Sequence, residues 1–231
     1  MIPVKTDIIL ADIVGYSSLS DENQFLTAII MTEAVRETVR ELIGRSFSKF
    51  EDIIQGMMPA GDGFYIMLNP GLSGYGLLLT LSLRSYLLKR QSQTGGIFRG
   101  ARFCIHTADT IEYEDVQGRP NFCGNGLNDC ARILSLTDVR EHGLMFGGDR
   151  SFIIASHDAL AQFFGLYGEP VLKFLQPWKF RASPERRFAF RNRYMDCSFI
   201  EVARDVTLNP PDPYELKREL TGMPSAVMQQ Q

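Results

Sequence analysis

The sequence lacks a long apolar run. The best candidate, residues 72–88, is interrupted by polar and charged side chains: Ser73, Thr80, Ser82 and Arg84. A membrane-spanning helix needs about 20 consecutive apolar residues, so an integral membrane protein is not expected. The first twelve residues also lack a basic region followed by an apolar stretch and a cleavage site, which disfavours export. These absences predict a cytoplasmic protein with no membrane span.

Neither sign of charge dominates, and paired cysteines are absent. The chain has 24 Lys and Arg against 27 Asp and Glu, for a net charge of −3, and no global field favours a polyanion. Nucleic-acid binding is therefore not expected. No Cys-x-x-Cys pair occurs among the four cysteines, which argues against a zinc knuckle and against a disulfide framework. We expect these thiols to be reduced and mostly packed: Cys104, Cys123, Cys130 and Cys197.

The 231 residues, of which 45% are hydrophobic, are enough for one well-packed domain and few for two. We predict a domain over residues 1–205. A proline-rich segment, residues 209–213, then breaks regular structure, and the chain closes on three glutamines. Residues 206–231 are therefore expected to form an extension that is partly disordered.

Hydrophobic periodicity predicts helices mixed with strands. The expected helices cover residues 22–47, 72–91, 125–136 and 158–164. The expected strands cover residues 5–12, 50–55, 64–68, 98–106, 107–114, 144–147 and 188–202, the last with a break at 191–193. A strong turn signal at residues 59–63 predicts a hairpin between the second and third strands.

Two acidic residues each occupy a glycine-flanked turn beside a hydrophobic strand. Asp12 follows the first strand, and Asp62 lies near the tip of the predicted hairpin. Adjacent strands of one sheet could bring the two carboxylates side by side, where they would repel unless a cation lay between them. Such a pair suits a hard divalent ion such as Mg²⁺ or Mn²⁺. The alternative is that each aspartate only hydrogen-bonds its own turn.

The turn after Asp12 leads into a helix. The backbone N–H groups of residues 14–17 could converge there on an anion such as a phosphate. The segment is not a Walker A motif, because the Gly-Lys-Ser/Thr sequence is absent. A generic strand-turn-helix remains the alternative.

A third group of polar residues is predicted on one helix. Asn128 and Arg132 are four residues apart and share a face, so an amide and a guanidinium would be presented together. That pair could hold a ribose and a phosphate, or could belong to an ordinary solvated face. On the preceding strand, Arg102, Cys104 and His106 alternate and face one way, and we expect His106 to be a core or interface residue.

Together and in order, these segments resemble the catalytic domain of class III nucleotidyl cyclases. The matching segments are residues 10–19 (LADIVGYSSL), 60–65 (AGDGFY), 99–107 (RGARFCIHT) and 124–132 (GNGLNDCAR), within a match that spans about residues 4–160. The resemblance implies an α+β fold with a central, mostly antiparallel sheet flanked by helices. It also implies a homodimer, in which the metal-binding aspartates come from one subunit and the Asn-Arg pair from the other.

The resemblance further implies roles for individual residues. Two Mg²⁺ or Mn²⁺ ions would be bound by Asp12, Asp62 and the carbonyl of Ile13, and the triphosphate would be held by the backbone of five residues: Ile13, Val14, Gly15, Tyr16 and Ser17. Asn128 would orient the ribose, and Arg132 would stabilise the phosphate in the transition state. The 3′-hydroxyl would attack the α-phosphorus in line, giving a 3′,5′-cyclic nucleotide and pyrophosphate.

Two positions that read the base depart from the family pattern. Adenylate cyclases have Lys and Asp there, and guanylate cyclases have Glu and Cys, whereas this chain has Met58 and Asn121. A purine would lose its usual polar recognition, because Met58 has no donor and only a weak acceptor. Asn121 has a donor and an acceptor and could pair with uracil or cytosine if nearby bulk narrows the pocket: Tyr16, Tyr65 or Phe122.

This combination resembles the stand-alone bacterial pyrimidine cyclases of anti-phage signalling. It implies UTP, less so CTP, as substrate, and a separate effector that binds the cyclic nucleotide. The family also places a phosphate-binding lysine on a late strand, and here only Lys173 and Lys179 are available, without the family's Lys-Gly context. Two alternatives remain open: a purine cyclase that reads its base by backbone contacts, and a degenerate module that only binds nucleotide or dimerises.

Overall fold

Strands and helices are interspersed along the computed structural model, which describes residues 2–43, 46–136, 152–176, 180–190, 193–202 and 211–221. The strands are β1 (Val4–Ile13), β2 (Ile54–Ala60), β3 (Gly63–Leu68), β4 (Ala101–Glu114), β5 (Pro120–Cys123), β6 (Ile153–Ser156), β7 (Arg181–Ala182), β8 (Arg186–Phe190) and β9 (Arg193–Glu201). The α-helices are α1 (Asp21–Arg40), α2 (Gly76–Gln93), α3 (Asn125–Leu134), α4 (His157–Leu175) and α5 (Pro213–Thr221). Within the described ranges, no helix combines the length and the apolar character that a bilayer crossing requires.

One sheet organises the chain, in the strand order β2-β3-β1-β4-β6-β9-β7. Strand β5 pairs with the C-terminal end of β4, and β8 pairs with β9. The β4–β6 pair is parallel, and the other pairs among the described strands are antiparallel. The predicted class, a mostly antiparallel sheet flanked by helices, is confirmed.

The two faces of the sheet are covered differently. Successive side chains of a strand point to opposite faces, so on β1 Ile9, Ala11 and Ile13 pack with α1, α2 and α4 in the larger core cluster. Ile8 and Leu10 point the other way and pack with α3 in a smaller cluster. We call this second side the α3 face. Because one short helix covers it, part of its surface remains half-exposed, including Met58 and Tyr65.

Four predicted elements differ from the structure. The helix predicted over residues 158–164 runs from His157 to Leu175, because Tyr167, Val171 and Leu175 continue to pack into the larger core. The first helix ends at Arg40 instead of residue 47. Leu42 and Phe47 lie beyond it, in a turn and a β-bridge, and their side chains are buried from those positions. Residues 50–52 form a 3₁₀ turn, and the second strand begins at Ile54. Residues 101–114 form one continuous strand instead of two, because β4 pairs first with β1 and then with β5. The strand predicted at residues 144–147 lies outside the described residues.

Part of the C-terminal extension packs on the opposite side from the α3 face. Tyr75 donates its hydroxyl to the carbonyl of Pro211 at 2.6 Å, and Leu216 of α5 is buried in the larger core. The carboxylate of Asp212 accepts the N–H of Tyr214 at 2.8 Å and so caps the start of α5. Residues 211–221 are therefore integrated with the domain.

Helix α3 approaches the sheet at Gly126. A Cβ atom added there would lie 2.7 Å from Cβ of Ala108 and 2.9 Å from Cδ1 of Ile8. Gly165 of α4 is also a helical glycine, but a Cβ atom added at Gly165 would have no neighbouring atom within 4 Å. Close packing of α3, which carries Asn128 and Arg132, therefore depends on the absence of a side chain at 126.

We expect Gly126→Ala to lower the free energy of unfolding by about 1–3 kcal/mol, because the new methyl group overpacks the α3–sheet contact. Gly165→Ala, the matched control, should be neutral or up to ~1 kcal/mol more stable, since alanine is the better helix former. Urea unfolding of the two variants measures the difference. Equal stabilities would contradict the close packing of α3.

Candidate active site

Asp12 lies at the end of the central strand of the site. It is the penultimate residue of β1, opposite Gly63 of β3 and Arg102 of β4. By alternation from Ile8 and Leu10 its side chain projects from the α3 face. The end of β1 therefore presents this carboxylate on the less covered side of the sheet.

Asp62 occupies the turn between β2 and β3, and this turn is fixed against the end of β1. The N–H of Ile13 donates to the carbonyl of Asp62 at 3.0 Å. Gly63 has no room for a side chain, because an added Cβ would lie 1.8 Å from the carbonyl oxygen of Ala11. The glycine after Asp62 thus allows a close backbone approach that brings both acidic residues to one end of the sheet.

Arg102 is a residue of this site that the sequence reasoning did not assign to it. Its Nε donates to Oδ2 of Asp12 at 2.8 Å, and its Nη2 contacts the same oxygen. Both side chains are about one-quarter exposed, so the pair is partly shielded from water. Arg102 neutralises Asp12 in this arrangement and would have to share or release it when a divalent cation binds.

The donor atoms at this end of the sheet fit a hard divalent cation. Asp12 and Asp62 supply carboxylate oxygens, and no group of three or more His, Cys, Asp or Glu residues that could form a complete metal cage occurs in the described parts of the chain. Mg²⁺ is usually held by one or two carboxylates together with water and substrate phosphates. The site therefore suits a cation that arrives with a phosphate ligand.

The loop after β1 offers fewer free backbone donors than the sequence suggests. The N–H of Ile13 is used by Asp62, and the N–H of Val14 donates to the carbonyl of Gly100 at 3.0 Å. The N–H groups of Gly15, Tyr16 and Ser17 have no hydrogen-bond partner among the described residues. The predicted phosphate cradle is therefore narrowed to these three donors. Gly15 has a φ of 71°, a left-handed conformation that suits glycine.

Met58 and Asn121, the two predicted base-reading residues, both contact one backbone amide. The N–H of Phe122 lies 3.2 Å from the sulfur of Met58 and 2.8 Å from Oδ1 of Asn121. Oδ1 of Asn121 thus accepts one hydrogen bond from its own chain, and no hydrogen bond of its Nδ2 group is found among the described residues. Phe122 itself is buried, seated where Gly56 leaves space for its ring.

Tyr65 lies beside the base-reading positions on the α3 face. Its hydroxyl donates to the carbonyl of Leu127 at 3.2 Å, which links β3 to α3. Burial raises the pKa of Tyr65 to about 12, so the phenol stays protonated at neutral pH. Tyr16 is half-buried in the loop after β1 and packs against the opposite, larger core.

Asn128 and Arg132 lie on α3, as predicted. Asn128 is exposed, and Arg132 is part-exposed with its Nη1 2.5 Å from Oδ1 of Asp129. The second oxygen of Asp129 accepts from Arg193 of β9 at 3.0 Å. Within the described residues, no hydrogen bond or ion pair joins Asn128 or Arg132 to Asp12 or Asp62.

The remaining predicted polar residues lie elsewhere. Lys173 is in the last turn of α4 and not on a strand, and Lys179 is outside the described residues. His106 is buried, as expected for a core residue, and its Nδ1 is 2.9 Å from the hydroxyl of Ser156. Burial lowers the pKa of His106 and favours the neutral ring.

No protein-family model matches the sequence, and no curated protein matches it either. Solved structures of nucleotide cyclases resemble this one. The guanylyl cyclase Cya2 has a TM-score of 0.60 at 14% identity, over 91% of this chain and 98% of that one. The GTP complex of the guanylate cyclase domain of RhGC from Catenaria anguillulae has a TM-score of 0.54 at 10% identity, over 86% and 97%.

A third similar structure comes from adenylate cyclases of Trypanosoma brucei in their monomeric state. Its TM-score is 0.51 at 16% identity, over 90% of this chain and 92% of that one. At such identities the likeness concerns the fold. The chain therefore has the fold of a nucleotidyl cyclase catalytic domain, and its function has to be argued from its own residues.

Proposed function

We propose that this protein is a class III nucleotidyl cyclase of the stand-alone bacterial pyrimidine type, which converts UTP, or less readily CTP, to the 3′,5′-cyclic nucleotide and pyrophosphate. The observation that carries the proposal is the bond from Ile13 to Asp62. It places a second acidic turn against the end of β1, next to Asp12, on a sheet with the cyclase fold. A strand end with two acids and three unused N–H groups suits a metal-bound triphosphate.

In this proposal Asp12, Asp62 and the carbonyl of Ile13 hold two Mg²⁺ or Mn²⁺ ions. Such ions lower the pKa of a ribose hydroxyl and neutralise the charge of a pyrophosphate leaving group. The backbone after β1 binds the phosphates through its unused N–H groups. Arg102, which pairs with Asp12, would be available to a phosphate oxygen once Asp12 served as a metal ligand.

Asn128 and Arg132 serve the ribose and the α-phosphate. A guanidinium offers donors in a planar fork that matches phosphate oxygens. Because neither residue contacts the aspartates of its own chain, we propose that each active site combines the aspartates of one subunit with α3 of the other in a homodimer. The bond from the 3′-oxygen to the α-phosphorus forms as the bond to the pyrophosphate oxygen breaks.

The base is read by Met58 and Asn121. With Oδ1 of Asn121 accepting the amide of Phe122, its Nδ2 group faces a base as a donor, which suits a carbonyl oxygen of uracil or cytosine. Met58 presents a thioether where a purine cyclase places a charged side chain. We prefer UTP to CTP on the family resemblance. The product would act as a cytoplasmic second messenger in anti-phage defence, read by a separate effector.

The proposed catalytic domain covers residues 1–205, with residues 206–231 as a C-terminal extension. The active-site residues all lie on β1, β2, β4, β5, α3 and the connecting turns, within the first 132 residues. The packing of α5 on the opposite side of the sheet supports a structural contribution from part of the extension.

The metal assignment predicts that Asp62→Asn lowers turnover by at least ~100-fold, because losing a bound cation removes several kcal/mol of charge stabilisation. Asp109→Asn is a matched control, since Asp109 is an exposed aspartate on β4. Turnover is measured with Mn²⁺ and with Mg²⁺. Near-normal activity of Asp62→Asn with Mg²⁺ would remove Asp62 from the metal site.

The base assignment predicts preferential turnover of UTP or CTP over ATP and GTP in a competition of all four nucleotides. Asn121→Ala should lose base discrimination more than it loses Mn²⁺ affinity, because the base loses its polar partner while the metal ligands are unchanged. The N–H of Phe122 loses Oδ1 of Asn121 as well but keeps the sulfur of Met58 as an acceptor. Product identities are read by mass spectrometry. Equal or better turnover of ATP or GTP would show that the protein is a purine cyclase that reads its base by other contacts.

The composite site predicts complementation between two inactive variants. Asp62→Ala and Arg132→Ala homodimers should each be inactive, because every active site lacks one partner. After subunit exchange, a mixed dimer has one site with both changes and one with neither. Random pairing should therefore restore about one quarter of wild-type activity under two-fold symmetry. No recovery despite demonstrated exchange would place both residues in one subunit.

A further inference from the structure

Asp129 is a nearly buried carboxylate that the proposed reaction leaves without a role. It follows Asn128 on α3, and its side chain is 12% exposed. Its two oxygens accept from two different arginines: Oδ1 from Nη1 of Arg132 at 2.5 Å, and Oδ2 from Nη1 of Arg193 at 3.0 Å. One carboxylate therefore bridges the guanidinium groups of two arginines whose side chains are 41% and 49% exposed.

The bridge restricts where Arg132 can reach. A free arginine side chain on a helix surface samples many rotamers, and fixing it in one of them costs conformational entropy. The charge-assisted bond to the buried carboxylate of Asp129 restricts the rotamers of Arg132 before a ligand binds. Since one N–H of five is used by Asp129, the remaining donors of the Arg132 guanidinium stay available for phosphate oxygens.

The bridge also joins two elements that are distant in the chain. Arg193 is the first residue of β9 and lies opposite Phe190, the last residue of β8, so its bond to Asp129 fixes this end of the β8–β9 pair to α3. Asp129 is paired on both sides, and the two cations leave a local net charge of +1. The arrangement presents two neighbouring guanidinium groups held at a set spacing by one anion.

We infer that Asp129 is a positioning residue for the cyclase reaction, which holds Arg132 in the orientation that meets the α-phosphate in the transition state. This inference rests on the proposed function. Charge alone gives the opposite expectation for substrate binding, because removing the carboxylate would make the site more positive and tighten binding of a nucleoside triphosphate. Positioning instead predicts a loss in kcat.

The test compares Asp129→Asn and Asp129→Glu with wild type in steady-state cyclase assays. Asp129→Asn should lower kcat about 10- to 100-fold, since a misplaced catalytic group costs about that much. Its KM for the nucleotide should fall or stay within about threefold of wild type. Asp129→Glu, which keeps the charge, should recover part of the kcat.

The matched control is Asp196→Asn, because Asp196 accepts two bonds from Arg187 in the same hairpin, at 2.9 and 3.0 Å. It should leave kcat within about twofold of wild type.

A double-mutant cycle separates positioning from a general structural effect. In an Arg132→Lys background, adding Asp129→Asn should change the residual kcat by less than about twofold, because the group that Asp129 orients is already gone. Thermal melting shows whether each variant is folded, and Asp129→Glu replaces Asp129→Asn in the cycle if the latter unfolds.

An unchanged kcat in folded Asp129→Asn, or an equal loss in both backgrounds, would overturn the positioning role while leaving the cyclase assignment intact. A wild type that cyclises none of the four nucleotides would instead overturn the proposed function itself, and with it this inference. The two failures are therefore distinguishable from the wild-type measurement alone.

Discussion

The pairing of β1 with both of its neighbours is the constraint on which the site depends. Strand β1 lies between β3 and β4, and its register sets Asp12 opposite Gly63 on one side and Arg102 on the other. One further bond, from the N–H of Ile13 to the carbonyl of Asp62, anchors the β2–β3 turn to the same strand end. A shift of one residue in the register of β1 would turn Asp12 to the side of the sheet that α1, α2 and α4 cover, and would separate it from Arg102.

The unequal coverage of the sheet explains where chemistry can occur. Helices α1, α2 and α4 pack on one side of the sheet and form the larger core cluster with it. On the other side, α3 covers part of the sheet and contributes to the smaller cluster. Asp12, Arg102, Met58 and Tyr65 all belong to that second side, next to the helix that carries Asn128 and Arg132.

Local sequence patterns predicted the parts of the site that lie on single elements. The isoleucine run before Asp12, the glycines around Asp62 and the four-residue spacing of Asn128 and Arg132 are visible within short windows. The ion pair of Asp12 with Arg102 is not, because it joins residues 90 apart through a strand register that no local pattern encodes. The bridge from Asp129 to Arg193 is hidden for the same reason, since its partners are 64 residues apart.

The errors in the predicted elements have a common physical origin. Residues 101–114 contain no glycine or proline that would end a strand, and the sequence alone does not reveal that one strand changes partner from β1 to β5. Apolar residues after Arg40 keep helical spacing, but tertiary contacts bury Leu42 and Phe47 outside the helix. In both places packing between distant segments overrides the local pattern.

The central claim is that this fold, with its two acidic turns, forms a 3′,5′-cyclic phosphate from a nucleoside triphosphate. Phosphorus NMR of wild-type protein with UTP and Mn²⁺, with the ion chelated before acquisition, tests it directly, because each possible reaction gives a different set of phosphorus signals. The account predicts equal amounts of cyclic monophosphate and pyrophosphate, with no orthophosphate formed in parallel. Release of orthophosphate with a nucleoside diphosphate, or no conversion of UTP, CTP, ATP or GTP, would contradict it.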